Sequence, residues 1–398
     1  MINLVFVRSR SNRNSLAALC GAIEKEKLDL EVKTIDEKDL LKKLRKYSAK
    51  TIIAFSFQTP DILRLAELIP QVKKINKDFT LVAGGAHPSG APGRTSKMGF
   101  DFVFVGEAED SFISFLENIS QGKKISQKII KSSPVDISEY SPISEKYKAF
   151  GSIEITRGCP FGCRFCQTTY LFGKIRHRTI KQITEATRIL IRNGRTDIRF
   201  VSPNLLSYGS ANGFKPNLNQ LEKILKSVRT VKGVRKVFAG SFPSEIRPEQ
   251  LNERTLEIIK KYCDNNNLII GAQSGSDLML EKCHRLHSVA DARRAIELTL
   301  QAGLKANVDF IFGMPGETKK EEQKTMNFIK ELVEKKNIRI HGHTFLPLPG
   351  TPWEKEKPGK ISPGLRRILK KLRKAGKEYG DWEEQERIGR LIKEFEED

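Results

Sequence analysis

Three cysteines, Cys159, Cys163 and Cys166, crowd into one short stretch of a 398-residue chain that holds 6 cysteines in all. So few cysteines cannot staple a protein of this length, and in a reducing compartment such crowding reads as metal binding. The three lie in ITRGCPFGCRFCQTTY, directly after the apolar run SIEIT (152–156), in a Gly/Pro-containing loop that can curl around a metal cluster. Thiolates are the ligands that iron–sulfur clusters require. Tetrahedral zinc wants four protein ligands, or three plus water where it is catalytic. His177 could supply the fourth, so zinc stays an open alternative at this stage. On a cubane [4Fe–4S] cluster three cysteines leave one iron free for a bound cofactor. Cys20, Cys263 and Cys283 are far apart in sequence and read as small buried hydrophobes.

Further candidates stand where apolar runs break into glycine. GAQSGSD (271–277) offers Gln273 and Ser274, with Arg285 downstream; FIFGMPGET (310–318) offers Gly313, Pro315 and Glu317; and Ser202-Pro203-Asn204 follows the run IRFVS. Near the N-terminus, TIIAFSFQTP carries Ser56, Phe57, Gln58 and Thr59, LVAGGAHPSG carries Gly84, Gly85, His87 and Ser89, and DFVFVGEAEDSF carries Gly106 and Glu107. A glycine after a strand lets the backbone approach a large ligand at the carboxyl edge of a sheet. One such glycine alone is an ordinary turn residue.

The elements that must position these groups fall into two series. Short Val/Ile/Phe-rich runs at 2–7, 30–35, 51–57, 79–85 and 100–106 alternate with helical patterns, which implies parallel strands joined by crossovers and a Rossmann- or flavodoxin-like domain over 1–125. The charged, Ser/Pro-rich stretch 126–150 suits a linker. From 151 to 350 six strand signals (152–156, 198–202, 234–240, 267–273, 305–313 and 338–348) predict a partial (β/α)6 barrel with its chemistry at the carboxyl ends of the strands. Apolar residues at helical spacing, Leu365, Ile368, Leu369 and Leu372, then Ile388, Leu391, Ile392 and Phe395, predict two amphipathic helices in a C-terminal extension, 351–398, basic first and acidic last. No stretch approaches the roughly 20 apolar residues of a membrane span, and the start lacks a signal peptide, so a cytoplasmic protein is expected.

The cysteine loop, with Phe165 just before its third cysteine, resembles the signature of the radical S-adenosylmethionine (SAM) superfamily. The resemblance implies a [4Fe–4S] cluster whose open iron is chelated by SAM, which the reduced cluster cleaves to a 5′-deoxyadenosyl radical. It also implies SAM contacts from Gln273, Ser274 and Arg285 and an adenine site at Gly313, Pro315 and Glu317. The family's usual Gly-Gly-Glu turn is replaced here by Ser202-Pro203-Asn204, from which the SAM amino group would be met by Ser202 and Asn204. The N-terminal segment resembles the cobalamin-binding domain fused to many of these enzymes, which implies that Ser56, Phe57, Gln58, Thr59, Gly84, Gly85, His87, Ser89, Gly106 and Glu107 surround the corrin and its nucleotide tail. The Asp-x-His-x-x-Gly sequence that gives cobalt a histidine is absent, the first loop reading RSRSNRNS (8–15). Base-off cobalamin without that ligand is therefore expected. His87 could in principle reach the corrin, although a loop histidine is more often a hydrogen-bonding surface residue.

About 1–350 thus resembles the cobalamin-dependent radical SAM enzymes, whose commonest chemistry is methyl transfer to an unactivated carbon. The Lys-rich chain, with SPNLLSYG and GSFPSEIRPE, is similar to an archaeal branch that includes the enzyme methylating a glutamine of methyl-coenzyme M reductase. The implied partners are a protein substrate and a reductant such as ferredoxin or flavodoxin. A net charge of +22 raises the question of nucleic acid. Lys and Glu are both abundant, however, a surface composition also found in hyperthermophile proteins, and no nucleic-acid-binding motif accompanies the charge. Two alternatives stay open: a non-methylating cobalamin enzyme of the same family, doing ring or oxidation chemistry, and a basic RNA-binding protein with a structural cluster.

Overall fold

The computed structural model describes residues 2–26, 28–48 and 50–397, which form two compact units, one running through Ile153 and the other holding most of the remainder. In the first unit, β1 (Ile2–Arg8), β2 (Leu30–Asp36), β3 (Thr51–Ser56), β4 (Thr80–Gly84), β5 (Phe102–Val105) and β6 (Ile129–Lys131) make one parallel sheet in the order β2-β1-β3-β4-β5-β6. Helices cover both faces of such a sheet, so its central strands are apolar throughout rather than alternating. Leu4, Val5, Phe6 and Val7 of β1 are accordingly all buried. Phe104 of β5 sets its edge on Phe112 and Phe115 of the helix Glu109–Ser120, at ring distances of 5.3 and 5.4 Å. The sheet grows one way from β1 to β2 and the other way from β3 onward. The crevice of an open α/β sheet lies at such a reversal, outside the carboxyl ends of the strands. Asn12 sits in that loop and donates to the carbonyls of Val7 (2.9 Å) and Ser56 (3.0 Å), tying the ends of β1 and β3 together.

The stretch 126–150, expected to be a linker, instead contributes β6, which pairs with β5 from Val103 to Val105, and the first unit continues to Ile153. Three residues of edge strand flanked by lysines and serines carry too little apolar pattern to be read as a strand.

The boundary falls within β7 (Ile153–Glu154), and the second unit continues with an antiparallel hairpin of β8 (Thr156–Arg157) with β9 (Arg176–His177). Five further strands follow: β10 (Asp197–Val201), β11 (Lys236–Phe238), β12 (Asn267–Gln273), β13 (Lys305–Phe312) and β14 (Ile338–Thr344). Strands β11-β10-β7 and β12-β13-β14 are linked by parallel bridges at Ser202↔Ser244 and Ile246↔Ile270, so the strands neighbour each other in chain order as in a partial (β/α)6 barrel. The short β15 (Glu378–Tyr379), from the C-terminal extension, adds an edge beyond β14. Alternation sorts the two faces. Phe310 of β13 meets Phe328 of the helix Lys319–Glu334 edge-on at 6.0 Å, on the outer face, which turns Asp309 and Ile311 to the inner one. The two tail helices, Pro363–Lys374 and Trp382–Glu397, lie where the periodicity puts them. Among the described residues no helix is long and apolar enough to cross a membrane.

Candidate active site

The cysteine loop leaves β8 through two left-handed glycines, Gly158 (φ 82°) and Gly162 (φ 64°), positions that a side chain would strain. A turn closed by Cys166 N–H on the Cys163 carbonyl (3.0 Å) and a bond from Gly162 N–H to Thr169 Oγ1 (3.1 Å) fix its curl. Around a single zinc ion, with Zn–S near 2.3 Å, thiolates stand about 3.8 Å apart. Among the described residues the one trio of His, Cys, Asp or Glu whose ligand atoms all lie within 4.8 Å lies elsewhere in this unit, so the three sulfurs are not gathered that closely. His177, the fourth ligand of the zinc reading, has both ring nitrogens engaged, Nδ1 with Thr156 Oγ1 (2.9 Å) and Nε2 with the Ser210 carbonyl (3.0 Å). The donor set fits a cubane cluster and not zinc.

Two guanidinium groups lean on this loop. Arg285 Nη1 lies 3.7 Å and Arg247 Nη1 3.8 Å from Cys163 Sγ. Arg247 is held by Glu249 (2.5 Å) and lies 3.5 Å above the Phe161 ring. Arg285 donates to the Gly271 carbonyl (3.0 Å), and its buried Nε has no partner among the described residues. A buried, unpaired donor beside the cluster loop is what the carboxylate of SAM would complete. Burial pushes the Cys159 thiol up and the Cys166 thiol to about 11, so loading the site displaces protons, and the two cations offset the thiolate charge that results.

Of the expected SAM residues, Gln273 ends β12 in a left-handed conformation (φ 69°) and is buried. A Cβ built on Gly271 would stand 2.8 Å from Gln273 Nε2 and 3.0 Å from Glu245 Oε2 and would collide with Arg285, so these three side chains converge above that glycine. Gly313 turns at φ 70°, and a Cβ there would meet the Lys360 backbone nitrogen at 2.6 Å. Glu317 accepts the Gly313 N–H (2.8 Å) across the turn that contains Pro315, and burial lifts its carboxyl to about 7. Phe165 packs against the buried cluster of Met279, Cys283, Met314, Phe345 and Trp353.

Three expected contacts are spent inside the fold instead. Ser274 is fully buried, sharing a hydrogen bond with Thr325 (3.2 Å) and accepting Ser276 N–H (3.1 Å). Ser202 Oγ donates to the Asn204 carbonyl (2.7 Å). The Asn204 amide donates to Ser207 and Gln250 (both 2.7 Å) and accepts Arg247 N–H (3.3 Å). A polar loop without the usual glycines satisfies its own donors, which leaves these side chains little for a ligand. Sequence reasoning missed Glu245 and Arg247, whose signal was a charged pair flanking the apolar Ile246, which bridges to Ile270 of β12.

In the first unit the expected cobalamin residues collect at the carboxyl ends of β3, β4 and β5. Gly85 (φ 103°) has room only for hydrogen: a Cβ would meet Phe57 N and O at 2.9 and 2.8 Å, whereas Gly84 has no atom nearer than 3.9 Å to such a Cβ. The tight approach at Gly85 and the space at Gly84 leave a bare backbone edge, which fits a broad ring. Gly106 (φ 92°) donates its N–H to Ser89 Oγ (3.0 Å). Glu107 is buried and accepts Val135 N–H (3.2 Å), a bracing bond. Gln58 is exposed and Ser56 half-buried, while Phe57 and Thr59 are buried. His87 is not the surface residue expected of a loop histidine: it is buried, stacked on Phe57 at 5.8 Å and bonded through Nδ1 to Thr59 Oγ1 (3.2 Å), and burial lowers its pKa to about 4.

Comparison with known proteins agrees with both units. Residues 153–329 match the family model of the radical SAM superfamily, and residues 11–116 match the B12 binding domain. An uncharacterized protein of Methanopyrus kandleri is 28% identical over 212 residues, 52% of this chain and 39% of its own. The threonylcarbamoyladenosine tRNA methylthiotransferase MtaB of Thermotoga maritima is 26% identical over 303 residues, 73% of this chain and 64% of its own. The chain thus spans less than two thirds of the length of both relatives. The solved structure of the radical SAM methyltransferase TsrM from Kitasatospora setae, with cobalamin and a [4Fe–4S] cluster bound, has a TM-score of 0.69 at 15% identity, covering 89% of this chain and 74% of its own. With a cobalamin-type sheet in the first unit and the cysteine loop in the second, the chain carries a B12 binding domain over residues 11–116 and a radical SAM domain over residues 153–329, and its cofactors are a [4Fe–4S] cluster, SAM and cobalamin.

Proposed function

We propose that the protein is a methyltransferase that places a methyl group on an unactivated carbon of a protein side chain, a glutamine of methyl-coenzyme M reductase being the specific candidate. One observation carries this reading: a single chain holds both the three-cysteine loop flanked by Arg247 and Arg285 and a cobalamin-type sheet edge. When bound, the cluster and SAM supply a radical initiator and cobalamin supplies a methyl carrier. The chain's own part is to anchor the SAM carboxylate on Arg285, seat its adenine against the Gly313 turn, and keep water out with the apolar wall around Phe165. A ferredoxin or flavodoxin is the reductant this chemistry asks for, and a cytoplasmic setting keeps the cysteines reduced. Incubation of the holoenzyme and the native partner protein with SAM trideuterated on its methyl group tests the proposal. All three deuteriums should appear on one carbon of a peptide. Label on a small molecule would keep the chemistry and discard the substrate class; deoxyadenosine with no methylated product would favour the non-methylating alternative.

A second reading has its own support. The net charge is +22, and a relative covering 73% of the chain is named for action on tRNA. An RNA substrate would show affinity falling steeply with salt, because neutralised phosphates release counterions. Label transferred to RNA, with the protein fraction unlabelled, would decide for it.

A further inference from the structure

One group of chemistry-bearing side chains in the barrel plays no part in the site described above. Asp309 of β13 and His341 and His343 of β14 face the barrel interior, and the parallel register sets Asp309 directly beside His341. His341 Nδ1 lies 3.0 Å from Asp309 Oδ1 and 3.3 Å from His343 Nε2, and all three ligand atoms fall within 4.8 Å of one another. With bonds near 2.1 Å, adjacent ligands of one ion stand about 3.0 Å apart in octahedral geometry and about 3.4 Å apart in tetrahedral geometry. The flat stacking of His341 on Tyr379 (4.3 Å, 7°) and the burial of Asp309 hold two of the three donors in place.

Hydrogen bonds alone do not close this group. Thr344 N–H donates to Gln385 Oε1 (2.8 Å), which leaves the Gln385 amide nitrogen to donate to His343 Nδ1 (3.2 Å). Neutral His343 must then carry its own hydrogen on Nε2, aimed at His341 Nδ1. That atom presents a lone pair to it and so faces Asp309 Oδ1 acceptor to acceptor. Placing a hydrogen on His341 Nδ1 satisfies Asp309 but opposes two N–H groups. With Asp309 ionised, each assignment leaves one short contact within the trio repulsive, and a cation among the three atoms relieves that contact.

We propose that Asp309, His341 and His343 bind one divalent transition-metal ion inside the barrel, a two-imidazole, one-carboxylate set with its remaining positions open. Imidazole and carboxylate together suit Zn(II), Fe(II), Co(II) or Mn(II). Glu245 lies in the electrostatic field of both places, with Arg285 and Arg247 of the cluster loop's surroundings and Asp309 and His341 of the trio all acting on its buried carboxyl. On the reading that the barrel holds the methyl acceptor, an oxygen of that acceptor is the ligand the open positions would take. Metal binding itself does not depend on that reading. Binding requires the His343 hydrogen to move to Nδ1, so the Gln385 amide must turn its oxygen toward it and release Thr344 N–H. A glutamate at 385 could accept both hydrogens at once.

The test uses the reconstituted holoenzyme, whose cysteines are occupied by the cluster, dialysed against Zn(II). We expect one zinc per chain by elemental analysis and an anomalous-scattering peak between Asp309, His341 and His343. Gln385→Glu should tighten binding by about tenfold, the size of effect typical of groups hydrogen-bonded to metal ligands, and Asp309→Asn should weaken it more than tenfold. The Gln385→Glu arm guards against a variant that merely misfolds, because misfolding cannot raise affinity. Absence of zinc, an anomalous peak elsewhere, or affinity unmoved by Gln385→Glu and Asp309→Asn would overturn the proposal.

Discussion

Arg285 reaches Cys163 with one nitrogen and the Gly271 carbonyl with another, and keeps Nε buried without a partner among the described residues. If that spare donor takes the SAM carboxylate, Arg285→Leu removes a charge-assisted hydrogen bond worth about 1.5–3 kcal/mol, and SAM affinity should fall by roughly 10–100-fold. Iron content should stay unchanged, since the cysteines are intact. Arg285→Lys should recover little, because an ammonium cannot reproduce the fork. Equilibrium dialysis with labelled SAM measures this, and undiminished affinity in Arg285→Leu would remove the carboxylate assignment. Glu317 makes a separate prediction. Its folded pKa of about 7 stands above the 4.5 of a free glutamate, so the folded state holds the extra proton between those values and stability should fall as pH rises from 4.5 through 7. Glu317→Gln keeps an oxygen for the Gly313 N–H and has no charge to bury. Thermal melts across that range should be flatter for the variant, which should be the more stable protein at pH 8. Identical pH profiles would show that the carboxyl ionises freely. The cysteines and the glycine turns were legible because each residue type is chemically restricted, whereas Arg285 was named only through the family resemblance. Glu245 and Arg247 were not, since charged residues near a strand end are common and only the fold shows that they point inward.

At the scale of elements, strands buried on both faces were legible as continuous apolar runs, β12 to the residue and β1 and β3 to within one residue at either end. The short edges β6 and β15 were not, because two or three residues carry no period. The tail shows how an element's role can hide in its charges. Its first helix is basic, yet Arg366, Lys370 and Arg373 pair with Glu383, Glu386 and Glu378, so much of the charge is spent within the extension. Trp382 is fully buried, its carbonyl accepts Thr344 Oγ1 (2.8 Å), and Arg373 and Arg366 lie 5.2 and 5.4 Å from its ring. The extension therefore covers the outer face of β14. Trp382→Ala should cost about 3–5 kcal/mol, whereas Lys371→Ala, on the exposed face, should change stability by less than about 0.5 kcal/mol. Urea midpoints decide: equal, small effects would make the extension a loose appendage and reopen the reading of its basic helix as a docking element.

At the scale of the whole molecule, the sequence showed two α/β units and three cofactors, and the identity of the substrate is the part it did not carry. Cofactor sites are written in restricted residues, Cys and Gly, whereas an acceptor site in a barrel is built from ordinary polar side chains whose meaning depends on which strand face they occupy. Asp309, His341 and His343 illustrate this, since nothing in their spacing brings the three together until the parallel register of β13 and β14 does. The central claim, that one chain joins radical initiation to methyl transfer, makes a stoichiometric demand. Each methylation consumes one SAM as methyl donor and a second as radical source. The most direct test is to quantify S-adenosylhomocysteine, 5′-deoxyadenosine and methylated product in one anaerobic reaction of the holoenzyme with its native partner. The account predicts the three in equal amounts. Deoxyadenosine accumulating without S-adenosylhomocysteine and product, or S-adenosylhomocysteine and product forming without deoxyadenosine, would contradict it.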